Sequence, residues 1–233
     1  MTIPIRQQID DGTAGGADMA LTLSSAQVGD TVVVLHADDF HTLAGLSSPT
    51  GTAVSSWTEI RPGGNSLVDG GTDDSHCKGW TGTVTTGGGT VLEGTANTDH
   101  ERYLGAWALV GAVDFDTALA TQVDTTSTSH VAPSVTPTSG KTDDLLICLF
   151  GTGPFDSAVN YTMPGSMTAR TERDCGTFCT FRGADEQLAS DAATGTRTAT
   201  ASAAFQWFAV SVLMKSTGGA PEQVLRPIQV LVV

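Results

Sequence analysis

Cations are scarce in this chain. Its 233 residues include 11 Lys and Arg against 25 Asp and Glu, for a net charge of -14. No Lys/Arg cluster interrupts that balance, so a phosphate backbone would be repelled and nucleic acid is excluded as a partner. Long apolar runs are lacking too. Every hydrophobic stretch is strand-sized, which excludes a membrane-spanning helix and predicts no membrane partner. After Met1, residues Thr2 to Gln8 offer no cationic stretch followed by an apolar one, so no secretory leader is predicted and synthesis in a cytoplasm is expected. Charged residues of both signs reach only 15%, and Gly, Thr, Ser and Ala fill the polar positions instead. That composition disfavours long helices and suits short strands joined by tight turns. The acids lie mostly in loops, such as Asp10-Asp11, Asp38-Asp39, Asp73-Asp74 and Asp143-Asp144, where they keep a Gly/Thr-rich surface soluble.

Catalytic motifs are absent as well. There is no G-x-S-x-G elbow, P-loop, H-E-x-x-H or strand-borne G-x-G-x-x-G, and Gly87-Gly88-Gly89 is a turn, with no Lys or helix after it. His36-Ala37-Asp38 places two ligand types on one strand face, with Asp39 and His41 close behind; His76 adjoins Cys77, His100 sits between Asp99 and Glu101, and His130 stands alone. No spacing completes a ligand set, so these histidines are expected to be solvated loop residues, with no metal and no cofactor. The acidic Gly-rich loop with Asp69, Asp73 and Asp74 is of the kind that holds calcium, and no such site is assigned. Glu59 and Glu172 fall at matching places in two repeats and form no visible acid/base pair, so the chain reads as a non-enzyme. The four cysteines are expected as reduced structural thiols. Cys148 lies in an apolar run, and Cys77 and Cys179 fall at similar repeat positions. In an extended strand Cys175 and Cys179 stand about 13 Å apart, too far for a disulfide unless the chain bends. Trp57, Trp80, Trp107 and Trp207 are few enough to be core residues; a sugar platform would need exposed aromatics on one face.

What the chain does have is repetition. Gly29 to Leu35 is echoed by Asp143 to Leu149, Trp57 to Ile60 by Met167 to Glu172, Gly88 to Gly94 by Gly195 to Ala201, and Leu104 to Val110 by Trp207 to Leu213, in the same order and about a hundred residues on. Strands are predicted at 19–24, 32–37 (a near-continuous apolar run, hence buried on both faces), 57–61, 76–84, 90–94 and 103–110. The Ser/Thr/Pro segment 121–141 reads as a linker or as an edge strand tolerant of Pro133 and Pro137. Residues 184–193 have helix-friendly composition. The resulting fold class is all-β: an antiparallel β-sandwich, jelly-roll-like, in which two pseudo-repeated units, about 18–120 and 141–215, interleave their strands. Two separate small sandwiches are the alternative.

Extended arms flank the predicted 18–215 domain. The N-terminal arm, 1–17, carries Ile3 and Ile5. The segment 216–233 is a linker followed by Val224, Leu225, Ile228, Val230 and Val232, with no charged residue beyond Pro227. An exposed strand of that composition aggregates, so it is expected to be buried, either on its own sheet or across a neighbouring subunit. These seven residues are the predicted assembly interface.

The pattern of a G-D strand (Gly29 to Leu35), Pro-x-Gly leading to Trp-Thr-x-Ile (Pro49 to Ile60), Gly-Gly-Thr-Val (Gly88 to Val91) and an Ala-x-Leu-Val strand (Leu104 to Gly111) resembles virion β-sandwich proteins of tailed bacteriophages, of the minor tail or head-decoration type. The second half keeps it in Asp144 to Phe150, Met163 to Thr168, Ala193 to Arg197 and Phe208 to Lys215. The resemblance implies a virion component assembled in the host cytoplasm, a homo-oligomer contacting other virion proteins, and no catalytic residues. The segment from Gln223 matches none of these motifs. A carbohydrate-binding module directed at a host-surface glycan is the alternative.

Overall fold

The computed structural model describes residues 2–14, 18–38, 46–60, 68–69, 76–94, 101–138, 143–152, 158–175 and 179–216. Its strands are β1 (Ile5–Ala14), β2 (Ala20–Thr22), β3 (Thr31–Asp38), β4 (Thr58–Ile60), β5 (Val68–Asp69), β6 (His76–Thr83), β7 (Thr90–Leu92), β8 (Glu101–Leu109), β9 (Val113–Ala132), β10 (Leu145–Thr152), β11 (Tyr161–Thr162), β12 (Thr168–Cys175), β13 (Cys179–Gln187) and β14 (Arg197–Ser216). Every pairing among them is antiparallel.

The strands of the two repeats do not interleave. One sheet has the order β1-β8-β3-β6-β4, with β5 on β6; the other has β14-β10-β13-β12, with β9 and β11 on β14. Each repeat therefore builds its own sheet, and jelly-roll alternation between sheets is not the connectivity. A central core of Val33, Leu35, Trp107, Leu149, Phe181 and Phe208, among others, joins the two sheets face to face. A second core covers the outer face of the first sheet with the two-stranded β2–β7 sheet, and a third covers the outer face of the second sheet. This is why β3 and β10 are buried at all eight positions and carry the apolar runs Val32–Leu35 and Leu145–Phe150. At about 1.5–3 kcal/mol for each large aliphatic side chain removed from water, these strands are the main source of stability.

The registers redraw the repeats. Thr31 pairs with Thr83 and Leu109 as Leu145 pairs with Gln187 and Met214, and Thr58 pairs with Thr81 as Thr168 pairs with Asp185. In the same frame Ile5 pairs with Leu109 as Phe115 pairs with Met214. Residues 5–14, expected as part of an arm, are thus the first strand of the first repeat, equivalent to the start of β9. By these registers Cys77 matches Phe181 rather than Cys179, and Glu59 matches Ala169 rather than Glu172. The segment read as a linker is largely strand: β9 runs to Ala132 and stops at Pro133, whose missing N–H ends the ladder. The helix-friendly stretch at 184–193 continues β13 to Gln187, because cross-strand burial outweighs local propensity.

The two sheets stack about an approximate two-fold axis. β8 lies over β13, where Trp107 Nε1 donates to Asp185 Oδ2 at 3.1 Å. β1 lies over β12, where Arg173 donates to the Asp10 carboxylate and to the Asp10 carbonyl oxygen at 2.8 Å. Near the axis, equivalent residues are held in the same way. Thr31 Oγ1 accepts from Val113 N at 2.9 Å and donates to the Val113 carbonyl, and the Gln187 amide accepts from Ile3 N at 3.0 Å and donates to the Ile3 carbonyl. The chain crosses between sheets at Gly111, whose φ of 76° only glycine adopts cheaply. The same operation brings Ser216 beside Ile3, as Gly111 is beside Val113. A circular permutant opened at Gly111, with Ser216 joined to Thr2 by a few Gly/Ser residues, is therefore expected to fold with stability within about 2 kcal/mol of the parent, as read by urea denaturation. Loss of cooperative unfolding in the permutant would contradict the axis.

Candidate functional site

Of the predicted assembly residues, the structure places Ile3 and Ile5. Ile3 is 3% exposed within the central core, and Ile5 packs against that core half-buried. Neither projects as an arm. Val224, Leu225, Ile228, Val230 and Val232 lie outside the described residues.

Ile3, Pro4 and Ile5 instead form one wall of a surface cleft of about 480 Å³, with Leu145 at its floor and Thr168 and Gln187 opposite. The two-fold axis generates a counterpart, walled by Val113, Asp114 and Phe115 and by Thr31, Thr58 and Thr83. That cleft is about 210 Å³. The difference follows from the residues: Phe115 fills space that Ile5 leaves, and Thr31 makes polar what Leu145 makes apolar. The wide cleft lies where β14 finishes, since Leu145 pairs with Met214 and Ser216 is two residues on.

The least expected cluster lies on the outer face of the first sheet. Glu93 and Arg102 form a fully buried ion pair, Oε1 to Nη1 at 2.6 Å, and Glu93 Oε1 also accepts from Met19 N at 2.9 Å. His36 stands 3.5 Å from Glu93 Oε2, Lys78 donates from the next strand to the Leu46 carbonyl at 2.8 Å, and the cross-strand pair Asp38 and His76 is buried beside them. Burial, with the positive charges of Arg102 and Lys78 second, pushes the His36 imidazole down to about 3. It is therefore neutral at pH 7, and neither ring nitrogen has a hydrogen-bond partner among the described residues. Burial raises Glu93 above the usual carboxylate range, opposed by the Met19 amide and by Arg102.

The second repeat supplies the comparison. At the positions of His36 and Arg102 it has Phe150 and Trp207, by the registers that pair Leu104 with His36, Arg102 with Asp38, Ala209 with Phe150 and Trp207 with Thr152. There His130 is buried, stacked on Trp207 at 5.1 Å. Its Nδ1 bonds Tyr161 Oη at 2.8 Å and its Nε2 the Ser127 carbonyl at 3.0 Å. Burial depresses this imidazole to about 4. The fold thus builds one location with charges in one half and with aromatics in the other, so the charged version is not required by the architecture.

The expectation that these histidines are solvated is corrected: His36, His76 and His130 are 0%, 1% and 0% exposed. Sequence reasoning missed this because an alternating strand with both faces covered buries polar and apolar positions alike. Among the described residues no group of three His, Cys, Asp or Glu is arranged to hold a metal. Asp39, His41, Asp73, Asp74, Asp99 and His100, and the Asp69 side chain, lie outside the description. Trp80, Trp107 and Trp207 are buried and Trp57 is half-buried, so the tryptophans form core, not an exposed sugar platform. No family model, curated protein or solved structure matches the chain.

Proposed function

We propose that this chain is a non-enzymatic structural component of a phage virion, of the minor tail or head-decoration type, that assembles in the host cytoplasm through its C-terminal strand. The carrying observation is the wide cleft beside the end of β14. Residues 217–233, outside the described residues, contain the apolar run from Ile228 to Val233, which is costly to leave in water. In this reading the segment from one copy seats in the cleft of the next. Ile3, Ile5 and Leu145 receive it, while Thr168 and Gln187 border the groove. Reciprocal seating gives a closed homo-oligomer, and the same contact extended to other virion proteins places it on the particle.

Light scattering tests this. The full chain is expected to run as a defined oligomer, and a truncation ending at Ser216 as a monomer. Thr168→Trp, a bulky substitution at an exposed rim position, is expected to dissociate the oligomer without unfolding the chain. If both lengths are monomeric and the shorter is less stable, the segment completes its own sandwich and the assembly reading falls.

A further inference from the structure

Cys175 ends β12 and Cys179 begins β13, and the two are direct cross-strand partners in an antiparallel ladder. The bend that an extended C-x3-C segment lacks is therefore present. Directly opposed residues share one face of a sheet, with Cα atoms about 4.5–5.5 Å apart. A disulfide needs about 4.4–6.8 Å between Cα atoms. Both side chains are fully buried in the central core, so both point to the same side, and Cys179 Sγ lies 3.9 Å from the Cys175 carbonyl oxygen. Both thiols are free. Cys148 lies on the opposite face of the second sheet, in the third core, away from both.

We propose that Cys175 and Cys179 are a covalent modification site: a dithiol that closes to an intrachain disulfide when the protein meets a two-electron oxidant. With hydrogen peroxide, one thiolate displaces hydroxide to give a sulfenic acid and water. The second thiol then attacks that sulfur, forming the S–S bond and releasing a second water, so two thiols are oxidised and one peroxide is reduced. A glutathione-rich compartment holds the pair reduced, and an oxidising one closes it. The bridge clasps the end of the β12–β13 hairpin where it meets the first sheet. There Cys175 Sγ donates to the Arg102 carbonyl at 3.0 Å, and Gly12 leaves the space in which that sulfur sits. This inference does not depend on the virion reading.

The test treats the full chain, purified reduced, with dilute hydrogen peroxide, blocks remaining thiols with iodoacetamide in denaturant, and digests with trypsin. Cleavage after Arg173 and Arg182 isolates both cysteines in the peptide Asp174–Arg182. The expected result is that this peptide is unalkylated and about 2 Da lighter than its dithiol form, while Cys77 and Cys148 are alkylated. Alkylation of Cys175 and Cys179, or their linkage to Cys77 or to another chain, would overturn the proposal. Oxidised wild type is further expected to show slower hydrogen exchange across β12 and β13 than Cys179→Ser, which cannot close; equal exchange would count against a clasp.

Discussion

Replacing Arg102 by methionine is expected to destabilise the fold by about 3–5 kcal/mol, the usual consequence of removing one partner from a buried ion pair. Arg102 is fully buried and donates to Glu93 Oε1 at 2.6 Å, so the methionine variant leaves a buried carboxylate in the outer core without its cationic partner, its remaining hydrogen bond among the described residues being the one from the Met19 amide. For a domain of this size the midpoint of thermal unfolding should drop by on the order of 10 °C. The double variant Arg102→Met with Glu93→Gln should recover most of the loss, because no buried charge is then left unpaired. A double variant no more stable than the single one would show that Arg102 acts through other contacts. Recovery above wild type would mean that the pair is retained at a net expense in stability, as the aromatic filling of the second repeat suggests.

Acidification from pH 7 to pH 4 is expected to destabilise the protein progressively, with His36 as the largest contributor. The sign follows from the imidazoles. His36 titrates near 3 and His130 near 4 in the folded state, both below the ordinary value of 6.5. Folding therefore excludes protons that the unfolded chain binds. The stability these residues contribute is fully present above pH 6.5 and lost as the pH falls from there towards 3. At about 1.4 kcal/mol per pH unit, His36 alone is worth on the order of 5 kcal/mol across the window. Glu93, raised by burial, works in the opposite direction and softens the loss at the acid end. His36→Phe, which installs the residue found at the equivalent place in the second repeat, should flatten the urea midpoint against pH between 6.5 and 4. A wild-type profile that is already flat there would contradict the buried, neutral imidazoles.

The strands were legible in the sequence because most are governed by local pattern. β3 and β10 carry the apolar runs Val32–Leu35 and Leu145–Phe150, and β6 and β8 fall within a residue or two of where alternation and turn residues place them. The repeat was legible for the same reason, since strands in equivalent surroundings converge on similar side chains. β1 was not: Ile5-Arg6-Gln7-Gln8-Ile9-Asp10 has no strong alternation, and it is a strand because β8 offers an edge to which it can bond. Connectivity was also out of reach, because interleaved sheets and repeat-wise sheets bury the same positions. The candidate site was the least legible part. Asp38, Glu93 and Arg102 are spread over 65 residues, and nothing near Glu93 in sequence signals that Arg102 and His36 converge on it from neighbouring strands. The wide cleft depends on two differences between the halves, Ile5 against Phe115 and Leu145 against Thr31, which carry meaning only once the registers align them.

The approximate two-fold axis has a genealogical consequence. Two half-length units that stack about a dyad, each starting with an edge strand held by the other's polar side chains, have the layout of a homodimer whose subunits have been fused end to end. A homodimer must place every substitution in both copies, so a buried Arg–Glu pair would appear twice or not at all. Fusion removes that constraint. One half of this chain carries the ion pair where the other carries aromatic rings, and one cleft has widened where its twin has closed, divergences open only to two domains inherited on a single chain.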